Sequence, residues 1–135
     1  WSKRQLLGDR NEALWGGYVL QHQGRQAFFA GDTGYSKDFA DIQARFGAMD
    51  LAMIPIGAYA PRDVMQRQHI NPAEAVRIHQ DVQARLSLGI HWGTFILTDE
   101  AIQQPPLDLA VALQKTGVAA AQFPHWAIGE TRRLP

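Results

Sequence analysis

The sequence contains no cysteine, which excludes disulfide bonds, thiolate metal sites and cysteine nucleophiles. It carries no excess of either charge, since 13 Lys and Arg balance 13 Asp and Glu over 135 residues. A neutral chain lacks the basic footprint of a nucleic-acid-binding surface, so no nucleic-acid partner is expected. No apolar run approaches the ~20 residues of a membrane-spanning helix. The longest, Leu51 to Ala60, is interrupted by Pro55 and Gly57, and the location expected is the cytoplasm or the periphery of a membrane. Repeats and low-complexity linkers are also missing, which leaves one domain or part of one. Hydrophobic residues make up 46% of the chain against 19% charged, enough to build a core and too many for disorder.

What is present alternates in type. Ala13 to Gln21 and Arg25 to Ala30 read as strands joined by a turn at His22-Gln23-Gly24, a hairpin. Lys37 to Phe46 places Phe39, Ile42 and Phe46 three and four residues apart, which predicts an amphipathic helix capped by Ser36 and stopped by Gly47. Asp50 to Ile56 reads as a buried strand. Asn71-Pro72-Ala73-Glu74 is a helix start, with Asn71 as N-cap, Pro72 in the first helical position and Glu74 placed to close a capping box. That helix is expected to carry Ala75, Val76, Ile78, Val82 and Leu86 inward. Ser87 to Trp92 follows as a strand. Pro105-Pro106 opens a third helix, with Leu107, Leu109, Ala110 and Leu113 inward, and the tail from Gln122 to Leu134 offers a last strand. Strands alternating with helices after a leading hairpin predict an α/β layer, a mixed sheet covered by helices on one face. Helix-covered strands should read as continuous apolar runs, as DLAMIPI and SLGIHW do.

Polar residues stand at the ends of these strands. Asp32 lies between Gly31 and Thr33-Gly34, directly after a strand. It is either a turn residue capping nearby amides or a ligand held where backbone can approach closely. His91 ends another strand before Gly93, either as a core histidine satisfied by backbone or as a ligand and proton carrier. The loop before the central helix carries Tyr59, Arg62, Arg67 and His69, a solvated loop or the wall of a site. Three such signals would share one sheet edge if their strands run parallel. One carboxylate with imidazoles suits zinc, iron or manganese better than calcium. Two ligands, however, fall short of the three that a catalytic zinc takes from the protein.

The stretches FFAGDTGY (28–35), IPIGAYAPR (54–62), QHINPAEAVRIHQDVQ (68–83) and HWGTF (91–95) resemble the metallo-β-lactamase superfamily. More narrowly they resemble the N-acyl-phosphatidylethanolamine-hydrolysing phospholipase D family, as do WSKR (1–4) and LWGGYVL (14–20). The resemblance implies an αβ/βα sandwich with two zinc ions at one edge. It implies that Asp32 bridges the ions, that His91 ligates one of them, and that His69 contacts substrate or transition state as the catalytic residue. Tyr59, Arg62 and Arg67 are then candidates for substrate contact. The family's H-x-H-x-D-H ligand motif is absent, and so is the histidine that precedes its WSKR tryptophan, here Trp1.

Residues 1–135 are accordingly expected to be the C-terminal half of a metal-dependent hydrolase domain, a phosphodiesterase acting on a phospholipid or small phosphodiester. Alone, the chain is expected to be inactive and to bind zinc weakly or not at all. A metal-dependent lactonase on the same scaffold and a non-catalytic interaction module are the competing expectations. The N-terminal half of the same enzyme is the expected partner. Without it, Trp15, Tyr18, Phe28, Met53 and Ile90 are expected to be partly uncovered, and a homodimer through that face is expected.

Overall fold

In the computed structural model, residues 16–133 are described. The WSKR segment and Trp15 lie outside them. Two strands form the leading hairpin, β1 (Tyr18–His22) and β2 (Arg25–Phe29). Gln23 and Gly24 turn the chain at positive φ, 49° and 75°, the backbone of a two-residue hairpin turn. His22 pairs with Arg25 and closes the ladder, so it belongs to the strand and not to the turn.

Helix α1 (Asp38–Phe46) buries Phe39 and ends at Gly47, whose φ of 83° suits glycine. Its N-cap is Lys37, not the expected Ser36. The chain enters helical geometry at Lys37, and Ser36 Oγ instead bonds locally, to the Asp38 amide at 3.3 Å and the Asp38 carboxylate at 2.9 Å. Strand β3 (Leu51–Pro55) follows, then a four-residue helix, α2 (Arg62–Met65), in a segment expected to be loop. Helix α3 (Pro72–Asp81) has the complete capping box: Asn71 Oδ1 accepts from the Glu74 amide and Glu74 Oε2 from the Asn71 amide, each at 2.9 Å. Such a cap contributes about 1 kcal/mol.

Helix α3 stops before Leu86. Gln83 adopts φ 49°, which breaks the helix, and Leu86 opens strand β4 (Leu86–Ile90). Helix α4 (Gln104–Thr116) closes on Gly117 in the left-handed region. It buries Pro105, Pro106, Leu109, Ala112 and Leu113, whereas Leu107 and Ala110 are exposed. Leu107 lies two residues, about 200°, around the helix from Leu109, so both cannot face inward. Among the described residues the tail holds a 3-10 turn at Ala120–Gln122 and no strand, and Gly89 N–H of the sheet donates to Pro124 O at 3.0 Å.

The sheet order is β1-β2-β3-β4, antiparallel between β1 and β2 and parallel across β2, β3 and β4. Helices α3 and α4 cover one face. Phe28, Ala52, Ile54 and Ser87 point into that layer, against Val76, Ile78, Leu109 and Phe123. Each fully buried Ile or Phe contributes about 1.5–3 kcal/mol.

The opposite face is apolar but open. In register it presents Tyr18, Phe29, Met53 and Leu88 in one row and Leu20, Ala27, Leu51 and Leu86 in the next. Tyr18 is 69% and Leu20 59% exposed. Strands β3 and β4 therefore alternate in burial although they read as continuous apolar runs. Met53 and Ile90 fall on this face or at its edge, half-buried, as expected. Phe28 does not, because it is one residue out of phase with Phe29 and is buried under the helices. Among the described residues, no helix is long and apolar enough to cross a membrane.

Candidate metal centre

Because β2, β3 and β4 run parallel, their carboxyl ends share one edge, where ligands of open α/β sheets collect. Asp32 leaves β2 after Gly31, which sits at φ 66°. His91 follows β4 directly and holds φ 60°, a conformation uncommon outside glycine and found at functional sites. Between them, the segment after β3 passes over the edge through Gly57 and returns through α2 to His69.

Two backbone contacts lock this segment to its neighbours. The Ile70 amide donates to Thr33 O at 2.9 Å, and a Cβ on Gly34 would stand 2.6 Å from Arg67 O. His69 is thereby pulled against the Asp32 turn. Asp32, His69 and His91 each offer a ligand atom, and these atoms all lie within 4.8 Å of one another. His91 Nε2 stands 3.4 Å from Asp32 Oδ1, and the His69 and His91 rings are 5.7 Å apart at 42°.

These residues fit a metal ion. The 3.4 Å separation is long for a charge-assisted hydrogen bond. It matches two donors on one tetrahedral ion, which at 2.0–2.1 Å each stand roughly 3.3 Å apart. His69 Nδ1 is buried and has no hydrogen-bond partner. Burial pushes the His69 pKa below its ordinary value, and His91 adds to this, against the opposing charges of Asp32 and Glu100. The ring is therefore held neutral, the form that binds a metal or exchanges a proton. The Asp32 side chain is 58% exposed, so the centre opens to solvent on that side.

Glu100 gives the edge its rigidity. Its Oε1 accepts from the amides of Ala58 at 2.6 Å and Tyr59 at 3.2 Å, and its Oε2 from that of Ala60 at 3.0 Å. Burial opposes its ionisation, but the Thr98 hydroxyl and the amides of Ala60, Glu100 itself and Tyr59 outweigh it and hold the carboxyl below its ordinary pKa. Nothing local in the sequence marks Glu100 for this task, because its partners lie forty residues upstream.

The remaining candidates are placed differently. Tyr59 is buried, and its hydroxyl donates to Asp108 of α4 at 2.5 Å. The Arg62 guanidinium is engaged by Glu74 and by the His69 carbonyl. Arg67 is exposed, with its backbone packed on Gly34, two residues beyond Asp32. Of the other histidines, His79 is buried against Ser87, and His125 packs edge-on to Trp92 at 5.4 Å.

Comparison with known proteins agrees with this geometry. The family model described as "Beta-lactamase superfamily domain" matches residues 1–92. The chain is 47% identical over 108 residues to the mitochondrial N-acyl-phosphatidylethanolamine-hydrolyzing phospholipase D of Saccharomyces cerevisiae, covering 78% of this chain and 23% of that protein. It is 50% identical over 95 residues to N-acyl-phosphatidylethanolamine-hydrolyzing phospholipase D 1 of Caenorhabditis elegans, covering 70% and 27%. The chain thus spans about a quarter of the length of these relatives. Among solved structures, an isothiocyanate hydrolase from Delia radicum gut bacteria superposes with TM-score 0.65 at 19% identity, over 87% of this chain and 42% of that one. The metallo hydrolase Igni18 of Ignicoccus hospitalis superposes with TM-score 0.59 at 18% identity, over 82% and 41%. At such identities the superpositions establish the fold alone, which is that of the metallo-β-lactamases.

Proposed function

Because the chain belongs to the β-lactamase superfamily, a family of hydrolases, we propose that it is the C-terminal portion of a metal-dependent phosphodiesterase acting on N-acyl-phosphatidylethanolamine or a similar phospholipid. The observation that carries this reading is the gathering of Asp32, His69 and His91 at one sheet edge. The substrate class draws on the 47% and 50% identity to the two relatives named for that reaction.

Asp32 and His91 would hold the metal, zinc being one of the ions this donor set suits. A divalent ion bound there supplies Lewis acidity, acidifying water and drawing charge from a phosphoryl oxygen. The chain's own residues then do the rest. Asp32 contributes negative charge and His91 a neutral nitrogen. His69, held neutral by burial, would accept one proton from the water that attacks the phosphate and hand it to the leaving oxygen as the diester is cleaved. Arg67, an exposed residue whose backbone packs beside the Asp32 turn, would meet the substrate's phosphate. The open apolar sheet face is where the N-terminal half of the same domain packs, a reading supported by the greater length of the relatives.

The test is a substrate panel on the full-length protein, with zinc and after chelation. Zinc-dependent release of phosphatidic acid and an N-acylethanolamine is expected. Hydrolysis of lactones with no turnover of any phosphodiester would overturn the substrate class.

A further inference from the structure

Arg62 lies on α2, seven residues before His69, and its side chain is 30% exposed. Its Nη1 donates to the His69 carbonyl oxygen at 2.7 Å, and its Nη2 to Glu74 Oε2 at 2.8 Å. That same carboxylate oxygen accepts from the Asn71 amide and closes the capping box of α3. One guanidinium therefore ties residue 69 to the rigid start of a helix that begins three residues later.

The tie bears on the His69 ring. The His69 amide is already held by Met65 O at 2.8 Å, so the backbone of residue 69 is fixed at both its donor and its acceptor. On the imidazole, the buried Nδ1 has no hydrogen-bond partner to hold it. With that nitrogen unheld, the place of the ring against Asp32 and His91 leans on the backbone from which it hangs. Arginine suits this bridge because its planar fork reaches two acceptors at once with separate nitrogens. An ammonium on a flexible stem cannot reproduce that geometry.

We propose that Arg62 is a positioning residue, which sets His69 against Asp32 and His91 by clamping its carbonyl to the α3 capping carboxylate. It is not a cation for the substrate's phosphate. The proposal rests on the reading of His69 as the residue that acts on the substrate.

The experiment uses the full-length, zinc-loaded protein with 15N-labelled histidine. It compares wild type with Arg62→Met, Arg62→Lys and Glu74→Gln, reading kcat, KM, thermal stability and the imidazole resonances. In both Arg62 variants kcat should fall about ten- to a hundred-fold, the range expected when a reacting group is misplaced by about an ångström. KM should stay within about two-fold, since uniform binding is untouched. The His69 ring signals should move while those of the distant, buried His79 stay in place. Glu74→Gln should shift the same ring signals in the same direction. A large rise in KM with kcat retained would make Arg62 a substrate-binding cation and overturn the proposal. A lower melting temperature with unmoved His69 signals and unchanged kinetics would reduce it to a structural tie and also overturn it. If wild type cleaves no phosphodiester, the phosphodiesterase reading falls, and the His69 ring signals alone decide the role of Arg62. Should Arg62→Met fail to fold, the lysine variant and Glu74→Gln carry the same comparison.

Discussion

Gly57 and His91 cross so closely that a Cβ on Gly57 would stand 2.2 Å from the His91 carbonyl oxygen. The obstacle is backbone, which cannot swing aside as a side chain can. The crossing lies where the chain leaving β3 meets the end of β4, and the Ile56 amide donates to Ile90 O at 3.0 Å just before it. The left-handed backbone of His91, φ 60°, lies at that crossing.

Gly57→Ala should therefore act on the metal centre without touching any ligand. The strain of the added methyl should cost about 1–3 kcal/mol of stability, as overpacking generally does. His91 should be displaced with it, and zinc affinity should fall. Calorimetric zinc titration and thermal melting of the full-length variant measure both. Unchanged zinc affinity would mean that the His91 position does not depend on the crossing.

Asp32 and His69 should separate in their effects. Asp32→Asn removes a charge from the ion and should weaken zinc binding together with turnover. His69→Ala should lower turnover by about 10²–10⁴-fold, the usual contribution of a general acid or base, with zinc retained. Metal content by elemental analysis beside the rate decides it. Equal zinc loss in both variants would make His69 a ligand, as its distance to the other two donors allows.

His79 should make stability depend on pH. Its Nδ1 lies 2.8 Å from Ser87 Oγ in the core, its ring lies against Phe123, and burial lowers its pKa. The unfolded chain then binds a proton near pH 6.5 that the folded chain refuses. Stability contributed by neutral His79 is full above that pH and is lost as pH falls from there toward the folded pKa. His79→Phe should flatten this part of the stability profile, measured by denaturant melts between about pH 7.5 and 5. An unaltered slope would assign the acid sensitivity to other groups.

The open sheet face should make the 135-residue chain adhesive when produced by itself. Tyr18, Leu20, Phe29, Met53 and Leu88 line up on it, and contiguous exposed apolar patches of that kind are rare on monomers. Light scattering across a dilution series should show self-association, most simply a two-fold dimer, together with binding of an apolar dye. Supplying the N-terminal half proposed to pack on this face should suppress both. A dye-free monomer at every concentration would show that the face needs no cover.

What the sequence determined by itself was local. The hairpin turn at Gln23-Gly24, the Asn71 capping box and the stops at Gly47 and Gly117 each rest on residues a few positions apart. So does the placing of Asp32 and His91 at strand ends. The same short reach misled where the ends of elements depend on distant packing. Leu86 continues the helical spacing of α3 but begins a strand, because Gln83 turns the chain between them. Leu109 and Leu113 are buried as their spacing predicts, yet Leu107 and Ala110 fit the same apolar pattern and stay exposed, because the packing of α4 on α3 takes Ala112 inward instead.

The centre was decided by tertiary structure. Asp32 and His91 are 59 positions apart in sequence and 3.4 Å apart in space. Glu100 reaches amides forty residues away, the Tyr59 hydroxyl reaches Asp108 of α4, and the Arg62 guanidinium reaches the His69 carbonyl. Parallel strands joined by helices bring such distant segments to one edge. No periodicity or spacing within a segment records which of its polar groups will find partners there.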